Sequence, residues 1–165
     1  MPEAEPIVGE FRHRLDSGAA WGVPAHVTIL YPFMPLDLVT PEVDRELEAM
    51  FAAFDRFAAR LTAVEWFGSA VAYVRPEPPV RFRSLTEAVH DRWPLWPPYG
   101  GMHDAVVPHL TIGDDPDAAA LTRAAEAVEA QLPLDFDVTE VALFSGTDQM
   151  GSWTHERSYQ LGSAT

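Results

Sequence analysis

The stretch Val23-Pro24-Ala25-His26-Val27-Thr28-Ile29-Leu30-Tyr31 recurs in altered wording as Val107-Pro108-His109-Leu110-Thr111-Ile112. Each copy follows a proline turn and reads as a short apolar strand. Side chains of a strand alternate between its two faces. His26 and Thr28 therefore share one face, while Val27, Ile29 and Tyr31 share the other and are expected to point into a core. His109 and Thr111 likewise share a face, with Leu110 and Ile112 opposite. One His-x-Thr tripeptide means little in a chain with six His. Two in matched contexts point to a site in which two imidazoles supply an acid and a base and two hydroxyls hold phosphate oxygens. The alternative is that both His are structural and bond the backbone.

The segments around the two motifs share an order of elements. A helix signal precedes each, roughly Glu5 to Leu15 and Ser84 to Trp93. Another follows each: Thr40-Pro41-Glu42 opens a run with Leu47, Met50, Phe51 and Phe54 at helical spacing, and Asp115-Pro116-Asp117 opens one with Leu121, Ala124, Ala125, Val128 and Leu132. Two strands of similar wording come next. Leu61 to Phe67 resembles Val138 to Phe144, and Ala70 to Val74 is matched by Trp153 to Leu161. The pattern predicts an internal duplication within a single domain, 1–165, made of two pseudo-symmetric lobes. The expected fold is α+β, with two antiparallel β-sheets flanked by helices and a central groove carrying two His-x-Thr strands. Pro94 to Asp104 reads as a loop bordering the second motif, and Pro76-Glu77-Pro78-Pro79 as a break between the halves.

Composition narrows the function classes. The apolar share of 47% supports a globular core in a chain this long. Without cysteine there are no disulfides and no thiolate metal sites. The acidic start Met1 to Glu5 is not expected to act as a signal peptide, and no apolar run approaches membrane-spanning length. The expectation is a cytoplasmic protein without a membrane partner, and a monomer. The net charge is −14, and the eleven basic residues are all Arg. Such a surface repels long nucleic acid. The expected partner is a small cyclic phosphate or nucleotide, or an RNA end entering a locally favourable pocket.

With these residues in view, the chain resembles the two-histidine (2H) phosphoesterase superfamily, which includes 2′-5′ RNA ligases and 2′,3′-cyclic nucleotide phosphodiesterases. The paired His-Val-Thr-Ile and His-Leu-Thr-Ile carry the resemblance, and Pro98-Tyr99-Gly100-Gly101 before the second motif adds to it. It implies a bilobal α/β layout and a metal-independent reaction without cofactor. It also implies His26 as proton donor to the leaving group, His109 as base, and Thr28 and Thr111 as phosphate binders. Members usually begin with a strand before the first helix. Here Met1-Pro2-Glu3 stand where that strand would have ended, so it is absent or lies upstream. RNA-processing relatives often carry a basic residue after the second motif, whereas this chain has Gly113-Asp114-Asp115. That departure disfavours polyanionic RNA.

The expected activity is hydrolysis of a cyclic phosphodiester. The alternatives are 2′-5′ RNA ligase activity and a catalytically idle nucleotide-binding regulatory protein. Further candidates for substrate binding are Tyr99, Gly100, Gly101, His103 and Arg157, although a surface ion pair is the commoner fate of such an Arg. Trp21, Trp96 and Tyr99 are candidates to stack a base, or else to pack. His13, His90 and His155 read as surface residues. Neither motif has a second His or carboxylate at ligand spacing, so no metal is expected.

Overall fold

A computed structural model describes residues 1–103 and 105–162, so Asp104, the last residue of the expected loop, lies outside the described residues. Two antiparallel sheets carry the architecture. The helices are α1 (Glu5–Leu15), α2 (Ser17–Trp21), α3 (Pro41–Ala52), α4 (Pro79–Arg92) and α5 (Ala118–Glu129). The strands are β1 (Phe57–Phe67), β2 (Val71–Glu77), β3 (Leu110–Gly113), β4 (Leu134–Val138), β5 (Glu140–Ser145) and β6 (Thr154–Gln160). One sheet has the order β3-β2-β1-β4, and the other pairs β5 with β6. The structure thus has the expected α+β class.

Local chemistry sets the helices. Thr40 caps α3 by accepting from the Val43 amide, Pro41 takes the first turn, and Leu47 and Phe51 turn inward. In α5 the cap is Asp117, which accepts from Ala120, and not the expected Asp115. Asp115 instead accepts from the Asp117 amide and shapes the turn before the helix. Leu121, Ala124, Ala125 and Val128 form the buried stripe of α5. Helix α4 starts at Pro79, earlier than the expected Ser84.

The strands differ from expectation where tertiary pairing decides. β2 lies between β1 and β3, and Ala72, Tyr73 and Val74 are all buried. It continues through Pro76, which faces Leu61 at an irregularity in the ladder, so the expected Pro76–Pro79 break begins only after Glu77. The expected strand Val138 to Phe144 is two strands. Val138 ends β4 in the first sheet, and beyond Thr139 the chain starts β5 in the second.

The larger correction concerns the first motif. Leu110–Gly113 is a strand laddered to β2, with His109 just before it, but residues 26–29 form no strand. Among the described residues, no backbone hydrogen bond reaches the amides of residues 26–30. In the first sheet β2 stands between the motif strand and β1. In the second, β5 pairs only with β6, so the first motif has no ladder partner. Other bonds hold it. Glu5 accepts from the Ala25 amide at 2.6 Å, Thr86 donates to the Ile29 carbonyl at 2.6 Å, and the Tyr99 amide donates to the Tyr31 carbonyl at 2.6 Å.

Two cores sit behind the motifs. One gathers Val8, Leu61, Val74, Leu110, Ile112, Leu121 and Val128, and the other Leu47, Phe51, Leu85, Val89, Tyr159 and Leu161. Ile29, Phe57 and Val138 pack against both. Gly113 lets β3 approach α1, since a Cβ there would lie 2.8 Å from the Leu15 carbonyl oxygen. The junction of α1 and α2 is tied by a buried ion pair. Arg12 Nε donates to Asp16 at 2.8 Å, Arg12 Nη2 reaches the Val23 carbonyl, and Asp16 also caps α2 by accepting from Gly18. Removing one partner of a buried pair strands the other charge. Asp16→Ala is expected to lower stability by about 3–5 kcal/mol, read by urea unfolding, against little change for Glu10→Ala, whose pair with Arg14 is exposed.

Candidate active site

The cap of α2 is a left-handed Gly22, φ 107°, which turns the chain into Val23-Pro24 and delivers His26 to a cleft. His109 reaches the same cleft from the edge of the first sheet. The cleft has a volume of about 1530 Å³ and is lined by His26, Thr28, His109 and Thr111 together. Val27 and Ile29 pack on the core, as alternation predicts. Tyr31 does not: it is 44% exposed, lines the cleft and faces Trp153 at 5.9 Å. Alternation fails there because the segment is not a laddered strand.

The two imidazoles are held in the same way. His26 Nδ1 lies 2.8 Å from the Pro24 carbonyl oxygen, and His109 Nδ1 lies 2.7 Å from that of Val107. Each acceptor is the carbonyl two residues earlier. A carbonyl can only accept, so Nδ1 carries the proton in both rings and Nε2 presents a lone pair. His26 Nε2 is 3.0 Å from Thr28 Oγ1, whose hydroxyl donates to it. Among the described residues, no hydrogen bond engages His109 Nε2.

Both rings sit in poorly solvated surroundings. Desolvation pushes the His26 pKa down to about 4, opposed by the bond to Pro24, with Arg12 lowering it and Asp16 raising it as smaller effects. Desolvation also lowers the His109 pKa, against the bond to Val107. The unliganded site therefore holds two neutral imidazoles at pH 7.

Aromatic rings box His109. Phe67 meets it edge-on at 5.0 Å, Tyr73 at 5.5 Å, and Tyr99 lies nearly parallel at 6.4 Å. Tyr99 is the one described non-glycine residue with positive φ, 53°. Backbone strain of this kind persists where surroundings enforce it. Here the Tyr31 carbonyl, the His109 ring and the neighbouring Thr28 hydroxyl surround the residue. Phe67 and Tyr73 were not among the sequence candidates. One signal existed for Phe67: it matches Phe144 in the repeated strand wording, and Phe144 meets His155 edge-on at 5.3 Å.

Other candidates separate. His103 is exposed, lines the cleft and meets Tyr99 edge-on at 5.6 Å. Gly100 and Gly101 are exposed in the turn after Tyr99 and do not line the cleft. Arg157 pairs with Asp44 outside it. Trp21 lines the cleft, whereas Trp96 packs against Phe33. His13 is exposed, as expected. His155 is exposed and also lines the cleft, but His90 is half-buried with no partner for Nδ1. Asp114, absent from the sequence candidates, accepts from the Ser17 amide at 3.0 Å and hydroxyl at 2.7 Å, tying the end of β3 to the start of α2. Among the described residues, no three His, Asp or Glu side chains gather as a metal-ligand set. Among the described residues, no helix is long and apolar enough to cross a membrane.

The His26 environment has a thermodynamic signature. The unfolded chain takes up a proton near pH 6.5 that native His26 refuses until about pH 4. Its contribution to stability is therefore complete above pH 6.5 and is lost as pH falls toward 4. Thermal melts across that window are expected to show a shallower acid decline for His26→Gln than for the wild type, and identical slopes would refute the assignment.

A sequence model of the 2′-5′ RNA ligase superfamily matches residues 1–149. No curated protein matches the chain. Among solved structures, the chain is similar to TT0787 of Thermus thermophilus, known from its crystal structure, with a TM-score of 0.62 and 15% identity, over 100% of this chain and 95% of that one. At that identity the likeness concerns the fold alone. The family match spans nearly all of the chain and includes both His-x-Thr motifs, and on that ground the chain belongs to the 2′-5′ RNA ligase superfamily.

Proposed function

We propose that the protein hydrolyses a cyclic phosphodiester of the 2′,3′-cyclic nucleotide or RNA-end type without a metal ion, with His26 and His109 as acid and base. One observation carries the reading. Both rings are anchored through Nδ1 to the carbonyl two residues earlier, so both Nε2 atoms are the ones available to move protons in one cleft.

The mechanism needs one protonated and one neutral imidazole. Both start neutral, and a bound phosphodiester anion raises the pKa of the nearest one, so charging of the acid is coupled to substrate binding. His109 Nε2 takes a proton from water as the water oxygen bonds to phosphorus. The bond from phosphorus to one ribose oxygen breaks, and that oxygen takes a proton from His26. The product is a phosphomonoester beside a free hydroxyl. The order, His26 as acid and His109 as base, follows the family resemblance, and it agrees with a His109 Nε2 that has no hydrogen bond among the described residues. The Thr28 and Thr111 hydroxyls donate to the non-bridging oxygens, where charge accumulates. Thr28 must turn from His26 Nε2 to the phosphate, which releases that nitrogen to take up its proton. Joining RNA ends through a 2′-5′ bond would be the same displacement with the 5′-hydroxyl of a second chain in place of water: that hydroxyl gives its proton to the base as its oxygen bonds to phosphorus, and the departing 3′ oxygen takes one from the acid.

The test is hydrolysis of 2′,3′-cyclic nucleotides in the presence of EDTA. His26→Ala and His109→Ala are each expected to lower kcat by about 10²–10⁴ with little change in melting temperature. Thr28→Val and Thr111→Val are expected to cost about 10² each. Full activity in both His variants would end the acid–base assignment, and loss of wild-type activity in EDTA would favour a metal-assisted reaction.

A further inference from the structure

The charge around the cleft is one-sided. Of the eleven Arg, only Arg12 lines it, and Arg12 is buried, with Nε on Asp16 and Nη2 on the Val23 carbonyl. Six others, Arg157 with Asp44 among them, are engaged in ion pairs away from it. The acidic residues lining the same cleft are Glu3, Asp16, Asp114, Asp137 and Glu140, and Asp114 is exposed directly after the second motif strand. At the two motifs the groups that can meet an anion are therefore two imidazoles and two hydroxyls, with the exposed His103 and His155 elsewhere on the lining, and aromatic surfaces flank the motifs. Tyr31 with Trp153 forms one such surface, and Phe67 with Tyr99 lies beside His109.

Resting on the phosphodiester reading above, we infer that the cleft selects its substrate by charge: it takes a single phosphodiester monoanion joined to a flat uncharged group and rejects ligands carrying a second phosphate. One anion can be neutralised by the one proton it recruits to an imidazole. A terminal phosphate brings a further −1.5 to −2 or so at neutral pH, and the one arginine of the cleft is already engaged by Asp16 and the Val23 carbonyl, as the Met1 ammonium is by the Ala25 carbonyl. It would meet Asp114 or another lining carboxylate in a partly desolvated cleft, where like charges repel more strongly than in water. The same rule disfavours the interior of an RNA chain, where each further nucleotide adds a phosphate. A base on the Tyr31 and Trp153 rings would supply affinity without charge.

The experiment compares 2′,3′-cyclic AMP with the same nucleotide carrying an additional 5′-phosphate. Binding is read by calorimetry and hydrolysis by NMR, both in EDTA. At about 20 mM salt, kcat/KM and affinity are expected to favour the singly charged ligand by about tenfold or more, and the gap is expected to narrow at about 300 mM salt, where charges are screened. Asp114→Asn, in which the amide can still bond Ser17, is expected to narrow the gap at low salt. Equal or tighter binding of the doubly charged ligand at low salt would overturn the inference, as would a gap indifferent to both salt and the variant. If the ligands are discriminated in binding but neither is hydrolysed, the charge rule stands and the phosphodiesterase reading falls. If neither binds, both fall.

Discussion

The Arg12–Asp16 ion pair is the constraint on which the site depends. It lies under the first motif, with both side chains almost fully removed from water. A pair this deep gains little net stability over apolar packing, but it cannot lose one member cheaply. Its value here is geometric. Asp16 ends α1, caps α2 and orients the guanidinium, and the guanidinium holds the Val23 carbonyl one residue before Pro24. Pro24 in turn anchors the His26 ring. Next to this junction Ser17 and Leu15 bond Asp114, which follows β3. The two motifs, far apart in sequence, are thus referenced to one short stretch, residues 12–17.

The motifs are equivalent in chemistry but not in support. His109 and Thr111 stand just before and just after the start of a strand whose neighbour, β2, is buried in the sheet. The His26 to Ile29 segment is fixed by side chains, chiefly Glu5 and Thr86, and by the Tyr99 amide at Tyr31. Segments with few backbone bonds open at lower free energy than laddered strands. A first motif with few backbone bonds would suit the proposed step in which Thr28 exchanges His26 for a phosphate oxygen. Tyr99 couples the two supports: its strained backbone holds Tyr31, and its ring lies along His109.

Burial and chemistry are linked through the imidazole pKa values. Burial lowers the pKa of both rings, and bonds from Nδ1 to backbone carbonyls favour the charged form without supplying a counter-charge. A counter-ion carboxylate on either ring would hold it protonated in the resting site and remove the neutral base. In the proposed reaction, using carbonyls instead leaves protonation to the substrate's own charge.

Features governed by short-range chemistry were legible in the sequence. The two His-x-Thr pairs, the Thr40 cap with Pro41, the buried stripe of α5 and the extent of α1 follow from spacing and side-chain type alone. Features that need a partner from elsewhere in the chain were not. Residues 26–29 have strand wording but no ladder, because a strand is completed by its neighbour. Tyr31 therefore escaped the alternation that should have buried it. Val138 to Phe144 divides because its two ends find different sheets. Phe67 and Tyr73 wall His109 because β1 and β2 pair in one register and β3 joins their edge, and Asp114 meets Ser17 from 97 residues away. Residue identity and local spacing were enough to mark out the two His-x-Thr pairs as the candidate chemistry, since both are encoded residue by residue. That these groups share one cleft, and that its lining carries five carboxylates against one arginine, follows from the tertiary fold, because long-range pairing and burial choose which surfaces meet.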